Sequence, residues 1–262
     1  MTTWPPRFDT AGRVMGELVK QRMDADLLER VHCVLVLSEE EVSSTLVREE
    51  ACNLMRAMDE LDVEILIDKG NIRSHKKLIP VLEKYPDNAV LVVDDDNIQQ
   101  KGWLKTFVSD HDRFPADIIY GQSNSRVVLK DGLICEEREF MPLSKPGQMS
   151  MDLKPANGAA GTLYPALTFT DIRFFDRELF MQLSPTSDET WQFAFAVMGG
   201  ASFRCLSACN IPMSAGARQD CALFNTNQYA YNDIHNAIAR EIPRYLETLE
   251  ICVQQKGQQE AL

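Results

Sequence analysis

Short apolar runs separated by helix-spaced stretches organise the first half of the chain. Residues 32–38 (HCVLVLS), 63–67 (VEILI) and 89–93 (AVLVV) are nearly continuous apolar runs rich in β-branched side chains, which predicts strands buried on both faces. Val14, Leu18, Val19 and Met23 recur at helical spacing in a segment that Asp9 can cap. Leu46, Val47, Leu54, Met55 and Met58 do the same over residues 43–59, and a short helix is expected to end at Tyr85. Strands alternating with helices predict a parallel, doubly wound α/β sheet. Ligands of such sheets bind beyond the carboxyl ends of the strands. Here those ends carry Ser38, Asp68 and the triplet Asp94, Asp95 and Asp96.

The second half is less regular. A helix is expected over residues 99–109 with Trp103, Leu104 and Phe107 inward, then a strand over 117–121. Residues 126–130 and 133–137 flank Asp131-Gly132, the signature of a hairpin turn. Residues 143–158 form a long Pro-, Gly- and Ser-rich loop of the kind that often carries function. A small-residue stretch follows to Pro165, then helices over 174–182 and 185–198 and a strand over 201–206. Residues 232–253 are largely helical, and the polar tail 254–262 is expected to fray.

Composition narrows the function classes. The length of 262 residues and a 45% apolar content suit one domain in two lobes. A formal net charge of −12 argues against general nucleic-acid binding, which needs a basic face. The seven cysteines (Cys33, Cys52, Cys135, Cys205, Cys209, Cys221 and Cys252) include no C-x-x-C pair, so reduced thiols are expected. With no run of transmembrane length and no signal-peptide core, the expected location is cytoplasmic.

The carboxylate triplet is the main candidate for chemistry. Three adjacent acids repel one another unless a cation holds them, and all-oxygen ligands suit Mg²⁺ or Mn²⁺. A solvated turn or helix cap would use the same residues.

In order along the chain, Thr2-Thr3-Trp4-Pro5-Pro6-Arg7, Lys76-Lys77-Leu78, Tyr85-Pro86-Asp87, Asp94-Asp95-Asp96, the stretch from Gly158 to Pro165, and Asp188-Glu189-Thr190-Trp191 resemble bacterial GT-A-fold glycosyltransferases of the surface-polysaccharide type. The resemblance implies a Rossmann-like, doubly wound mixed sheet with helices on both faces. It implies a nucleotide-sugar half (1–121) and a smaller acceptor-side half (122–262). It also implies transfer of a sugar from a nucleotide diphosphate donor, with UDP as the expected nucleotide, to a hydroxyl of a cell-surface glycan such as lipopolysaccharide or capsule. The acceptor would be lipid-linked, with at most peripheral contact at the inner face of the membrane. Asp94 and Asp96 would hold Mn²⁺ or Mg²⁺, with Asp95 as a further candidate and His235 as a third metal ligand. Thr3, Arg7, Lys76, Lys77 and Gly161 would contact the donor, and Asp68 its uracil ring. Glu189, and second to it Asp188, would be the general base of an inverting reaction.

Each of these positions has a plainer structural reading. Asp68 can simply form a turn before Lys69-Gly70, Asp188 and Glu189 can cap a helix, and His235 can be packed in a core. Glu189 stands where Asp is usual in that group. A buried strand normally precedes the Thr-Thr-Trp-Pro position, and here only Met1 does, so the first strand looks clipped. A sugar nucleotidyltransferase normally carries a Gly-rich basic loop after its first strand, which residues 8–24 lack. A non-catalytic sugar-nucleotide-binding or scaffold protein of the same fold is the other alternative.

Overall fold

The computed structural model describes residues 1–155, 157–208, 210–216 and 230–260, without the side chains of residues 157 and 255–260. Cys209, Cys221 and the last two residues of the expected frayed tail lie outside the described residues. Cys33, Cys52, Cys135, Cys205 and Cys252 are free thiols, as expected.

Pro5 and Pro6 open a 3-10 turn (Pro5–Arg7), where their missing N–H groups cost nothing. Helix α1 (Phe8–Asp24) follows. Strand β1 (Val34–Ser38) runs directly into α2 (Glu39–Ser43) through a capping box. The Ser38 hydroxyl accepts from the Glu41 N–H, and the Glu41 carboxylate accepts from the Ser38 N–H at 2.8 Å. Next come α3 (Arg48–Glu60), β2 (Glu64–Asp68), a 3-10 turn (Arg73–Lys77), α4 (Ile79–Lys84) and β3 (Val90–Val92). β4 (Asn97–Ile98), α5 (Trp103–Arg113) and β5 (Asp117–Tyr120) complete the first half.

β6 (Ser125–Lys130) and β7 (Leu133–Arg138) form the expected hairpin, with Asp131 and Gly132 both left-handed at φ 50° and 76°. β8 (Leu153–Lys154), α6 (Asn157–Ala160) and β9 (Thr162–Tyr164) follow. Then come α7 (Arg177–Leu183), α8 (Asp188–Met198), β10 (Ser202–Cys205) and β11 (Met213–Ser214). The last described helices are α9 (Tyr231–Glu241) and α10 (Arg244–Glu260), with Pro243 between them.

The architecture is mixed α/β. β1 and β2 pair in parallel in register Val34–Glu64 to Ser38–Asp68. A four-stranded sheet runs β10-β5-β9-β3, in which β10 and β5 are parallel and β9 is antiparallel to both its neighbours. Met1 and Thr2 lie parallel along β1, where the Met1 amine donates to Val34 O at 3.1 Å and Val36 N–H to Met1 O at 2.9 Å. Two differences from the periodicity have clear causes. β9 is only three residues long between Gly161 and Pro165, too short to show a period. The loop over 143–158 contains β8, which pairs with β6 through two residues only.

Alternating strand residues feed two apolar layers. Leu35 and Leu37 pack with α1, α3 and α5, while Val36 packs with α4, α8, α9 and α10. Helices therefore cover both faces. α8 has buried residues on every side, and Trp191 at its centre is fully buried and donates its indole N–H to Phe174 O at 3.0 Å. No described helix is long and apolar enough to cross a membrane. Trp191→Phe removes that hydrogen bond and part of the packing, and is expected to lower unfolding stability by about 2 kcal/mol in urea titration.

Candidate functional site

The triplet follows β3 and is fixed from several sides. The Asp94 N–H donates to Gly158 O at 3.0 Å, and Ala215 N–H donates to Asp96 O at 2.8 Å. Successive side chains then point to different partners. Asp94 Oδ1 accepts from Lys77 Nζ at 2.8 Å. Asp95 turns the other way and accepts from Thr3 Oγ1 at 2.6 Å and Arg7 Nη1 at 2.9 Å. Arg7 Nη1 also reaches Asp96 Oδ2 at 3.1 Å, and the Asn97 amide bonds Asp96 Oδ1. Thr3 and Arg7, expected on the donor, thus anchor the carboxylates.

Lys77 is buried and lies between two acids, 2.8 Å from Asp94 and 3.4 Å from Asp188 Oδ2. Burial alone would lower its pKa, but Asp188 and Asp94 overcome that and hold the ammonium well above its usual range. Asp94 shows the converse. Burial pushes its carboxyl up to about 6 against the pull of Lys77, and repulsion from Asp96 adds to the rise. Lys76 does not face the same acids. Its ammonium, buried, sits 2.5 Å from both carboxylate oxygens of Glu41, the residue that also closes the capping box of α2.

All of these side chains line one cavity of about 570 Å³. Thr3, Arg7, Lys76, Lys77 and the three aspartates share it with Asp188, Glu189, Arg73, Arg138, Lys154 and Tyr231. Asp188 and Glu189 open α8 behind the Ser187 cap. Asp188 is buried and accepts from Gln192 Nε2 at 3.2 Å, besides facing Lys77. Glu189 is more open and accepts from the Tyr231 hydroxyl at 2.9 Å, with Lys154 Nζ at 3.9 Å. Nine of the thirteen cavity residues just named were singled out in the sequence; Arg73, Arg138, Lys154 and Tyr231, like Glu41, which also lines the cavity, carried no local signal.

Three expected site residues lie elsewhere. Asp68 is buried off the cavity wall, with both oxygens 2.9 Å from Arg177 Nη1, an arginine that also reaches Glu83. His235 is fully buried in α9. Its Nδ1 lies 2.7 Å from the Tyr245 hydroxyl and its Nε2 3.3 Å from Glu136 Oε2, so neither nitrogen faces the triplet. Burial lowers its pKa, with partial compensation from Glu136. Gly161 packs on Trp103, where an added Cβ would lie 2.4 Å from the ring, and its carbonyl accepts from Gly121 N–H at 2.8 Å. In that stretch it is Ala159 that reaches the cavity.

The donor set suits a divalent ion only in company. Among the described residues, no group of three or more His, Cys, Asp and Glu side chains is arranged to hold a metal alone. Among the described residues, Asp94, Asp95, Asp96 and Asp188 face the cations Lys77 and Arg7. Mg²⁺ and similar ions are commonly held by one or two carboxylates together with substrate phosphates. Asp94 and Asp96, both on the cavity wall, are the residues that fit that role.

No family model and no curated protein matches the chain. Among solved structures, an apo UDP-glucose pyrophosphorylase aligns at 9% identity and TM-score 0.43, covering 87% of each chain. A UDP-glucose pyrophosphorylase complexed with UDP-glucose aligns at 12% identity and TM-score 0.41 over 87% of each chain. A UTP-bound UGPase from Acinetobacter baumannii aligns at 10% identity and TM-score 0.40, over 92% of this chain and 87% of that one.

Gly158 shows why the small-residue stretch is needed. A Cβ there would lie 2.1 Å from Asp94 Oδ1 and 2.7 Å from the Asp94 backbone nitrogen. Gly158→Ala is therefore expected to displace Asp94 and lower unfolding stability by about 1–3 kcal/mol in urea titration. Its far-ultraviolet circular dichroism should stay that of the wild type.

Proposed function

We propose that the cavity binds a nucleotide diphosphate sugar, and that the protein transfers the sugar to an acceptor hydroxyl. The observation that carries this reading is the grouping, in one cavity, of an aspartate triplet with a partly exposed carboxylate, Glu189, at the head of a buried helix. A divalent ion, when bound by Asp94 and Asp96, would neutralise charge on the diphosphate leaving group. Arg73 is the cavity cation best placed to meet the phosphates. It is exposed, stands at φ 53° held by Asn71, and has no carboxylate partner among the described residues. By contrast Lys76 is matched to Glu41, and Lys77 and Arg7 to aspartates.

Glu189 is the proposed base. It takes the acceptor's proton as the oxygen forms its bond to the anomeric carbon. The bond from that carbon to the diphosphate oxygen breaks, and the electron pair leaves with the nucleotide. Attack opposite the leaving group inverts the anomeric centre. Asp188 suits this less well, because it is buried against Lys77 and Gln192. The resemblance set out above adds a surface-glycan hydroxyl, on a lipid carrier, as the acceptor class, and UDP as the first nucleotide to try.

Purified protein mixed with a panel of UDP-hexoses and UDP-N-acetylhexosamines in Mn²⁺ should release UDP slowly, with water replacing the acceptor. Asp96→Ala is expected to lose Mn²⁺-dependent UDP binding by about 100-fold, and Glu189→Gln to lose turnover by about 100-fold with UDP binding intact. Binding without turnover of any donor would favour a sugar-nucleotide-binding protein. Pyrophosphate release from UTP and a sugar 1-phosphate would favour a nucleotidyltransferase. Absence of UDP binding would overturn the reading altogether.

A further inference from the structure

A buried polar network stands behind Glu189 and uses residues that no step above requires. Glu136 on β7 has a fully buried side chain. It accepts from Lys154 Nζ at 2.8 Å, Arg138 Nη1 at 3.3 Å and His235 Nε2 at 3.3 Å. A carboxylate only accepts, so His235 Nε2 carries the proton and Nδ1 accepts from the Tyr245 hydroxyl. The two cations tied to Glu136 both lie on the Tyr231 ring, Lys154 Nζ at 4.5 Å from its centroid and the Arg138 guanidinium at 4.7 Å. Tyr231 in turn donates to Glu189 Oε1 at 2.9 Å. Lys154 also donates to Thr190 Oγ1 at 3.1 Å, on the residue next to Glu189.

We infer that Tyr231 is a positioning residue for Glu189, clamped in place by Lys154 and Arg138 on the Glu136 carboxylate. This rests on Glu189 being the base. The hydroxyl fixes one carboxylate oxygen of Glu189, which orients the carboxylate toward the cavity both residues line. Burial and the neighbouring Glu189 push the Tyr231 phenol pKa far above its usual range, so the hydroxyl keeps its proton and remains a donor. The ring cannot swing away without leaving both cations. Because the support comes from β7, β8 and α9, it joins the hairpin sheet to the head of α8.

Tyr231→Phe removes one oxygen and keeps the ring on its cations. With the donor turned over fastest in the panel above, kcat should fall about tenfold or more, while KM for the donor and UDP affinity in Mn²⁺ stay within about twofold. A purely structural role would instead move thermal stability and UDP affinity together. Wild-type kcat in Tyr231→Phe, with Glu189→Gln inactive, overturns the positioning role and leaves the base assignment standing. Wild-type kcat in Glu189→Gln overturns the base, and the positioning role with it. Lys154→Arg, which keeps the charge, should retain more turnover than Tyr231→Phe; equal or greater loss would place the main constraint on Lys154 rather than on the phenol and overturn the role given to Tyr231.

Discussion

One buried ammonium organises the cavity. Lys77 touches Asp94 from the end of β3 and Asp188 from the head of α8, two elements far apart in sequence. Removing one partner of such a buried ion pair commonly costs about 3–5 kcal/mol, because the other charge is left stranded. The end of β3 and the head of α8 are therefore held at a fixed separation by charge as well as by packing. The same contact ties Asp188 to the frame, while Glu189, one residue on, is the less buried of the two acids and meets the Tyr231 hydroxyl instead.

Around this ammonium the cavity separates charge in a definite way. Arg7 and Thr3 hold the side of the triplet that faces the N-terminal turn, and Lys77 holds the other. Lys76 belongs to a different arrangement, since Glu41 both caps α2 and neutralises it. Among the described residues, Lys76 faces one carboxylate, whereas Lys77 and Arg7 each face two. The raised Asp94 carboxyl reflects its burial first, with repulsion from Asp96 and Asp188 adding to it against the pull of Lys77.

Much of this was legible in the chain and much was not, for physical reasons. The strand ending at Ser38 and the apolar run before the triplet are short, branched and continuous, and they are largely buried as that pattern implies; the strand ending at Asp68 is only half-buried, with Ile67 exposed. The Asp-Gly hairpin was legible because a left-handed pair leaves few choices of residue. Side-chain direction was not legible. Asp68 meets Arg177 across 109 residues, His235 meets Glu136 across 99, and Lys76 meets Glu41 across 35, and no local pattern encodes such pairings. The glycines were visible but their reason was hidden: Gly158 is small because Asp94 lies against it, and Gly161 because Trp103 does. The network of Glu136, Lys154 and Tyr231 gave no signal, since each residue alone resembles an ordinary polar position.

The burial of α8 has a consequence for how this protein could change over generations. A helix buried on every side resists tilt and slide, so the acids at its head are held in place by the packing around it. Novelty must then arise in what surrounds them. Gln122, Asn124 and Ser125 lie on the cavity wall on or just before a hairpin strand, where substitution disturbs little of the apolar interior. The cavity thus pairs a pinned pair of acids with a replaceable rim; under the proposed function, that arrangement would let a new acceptor be accommodated without moving the acids.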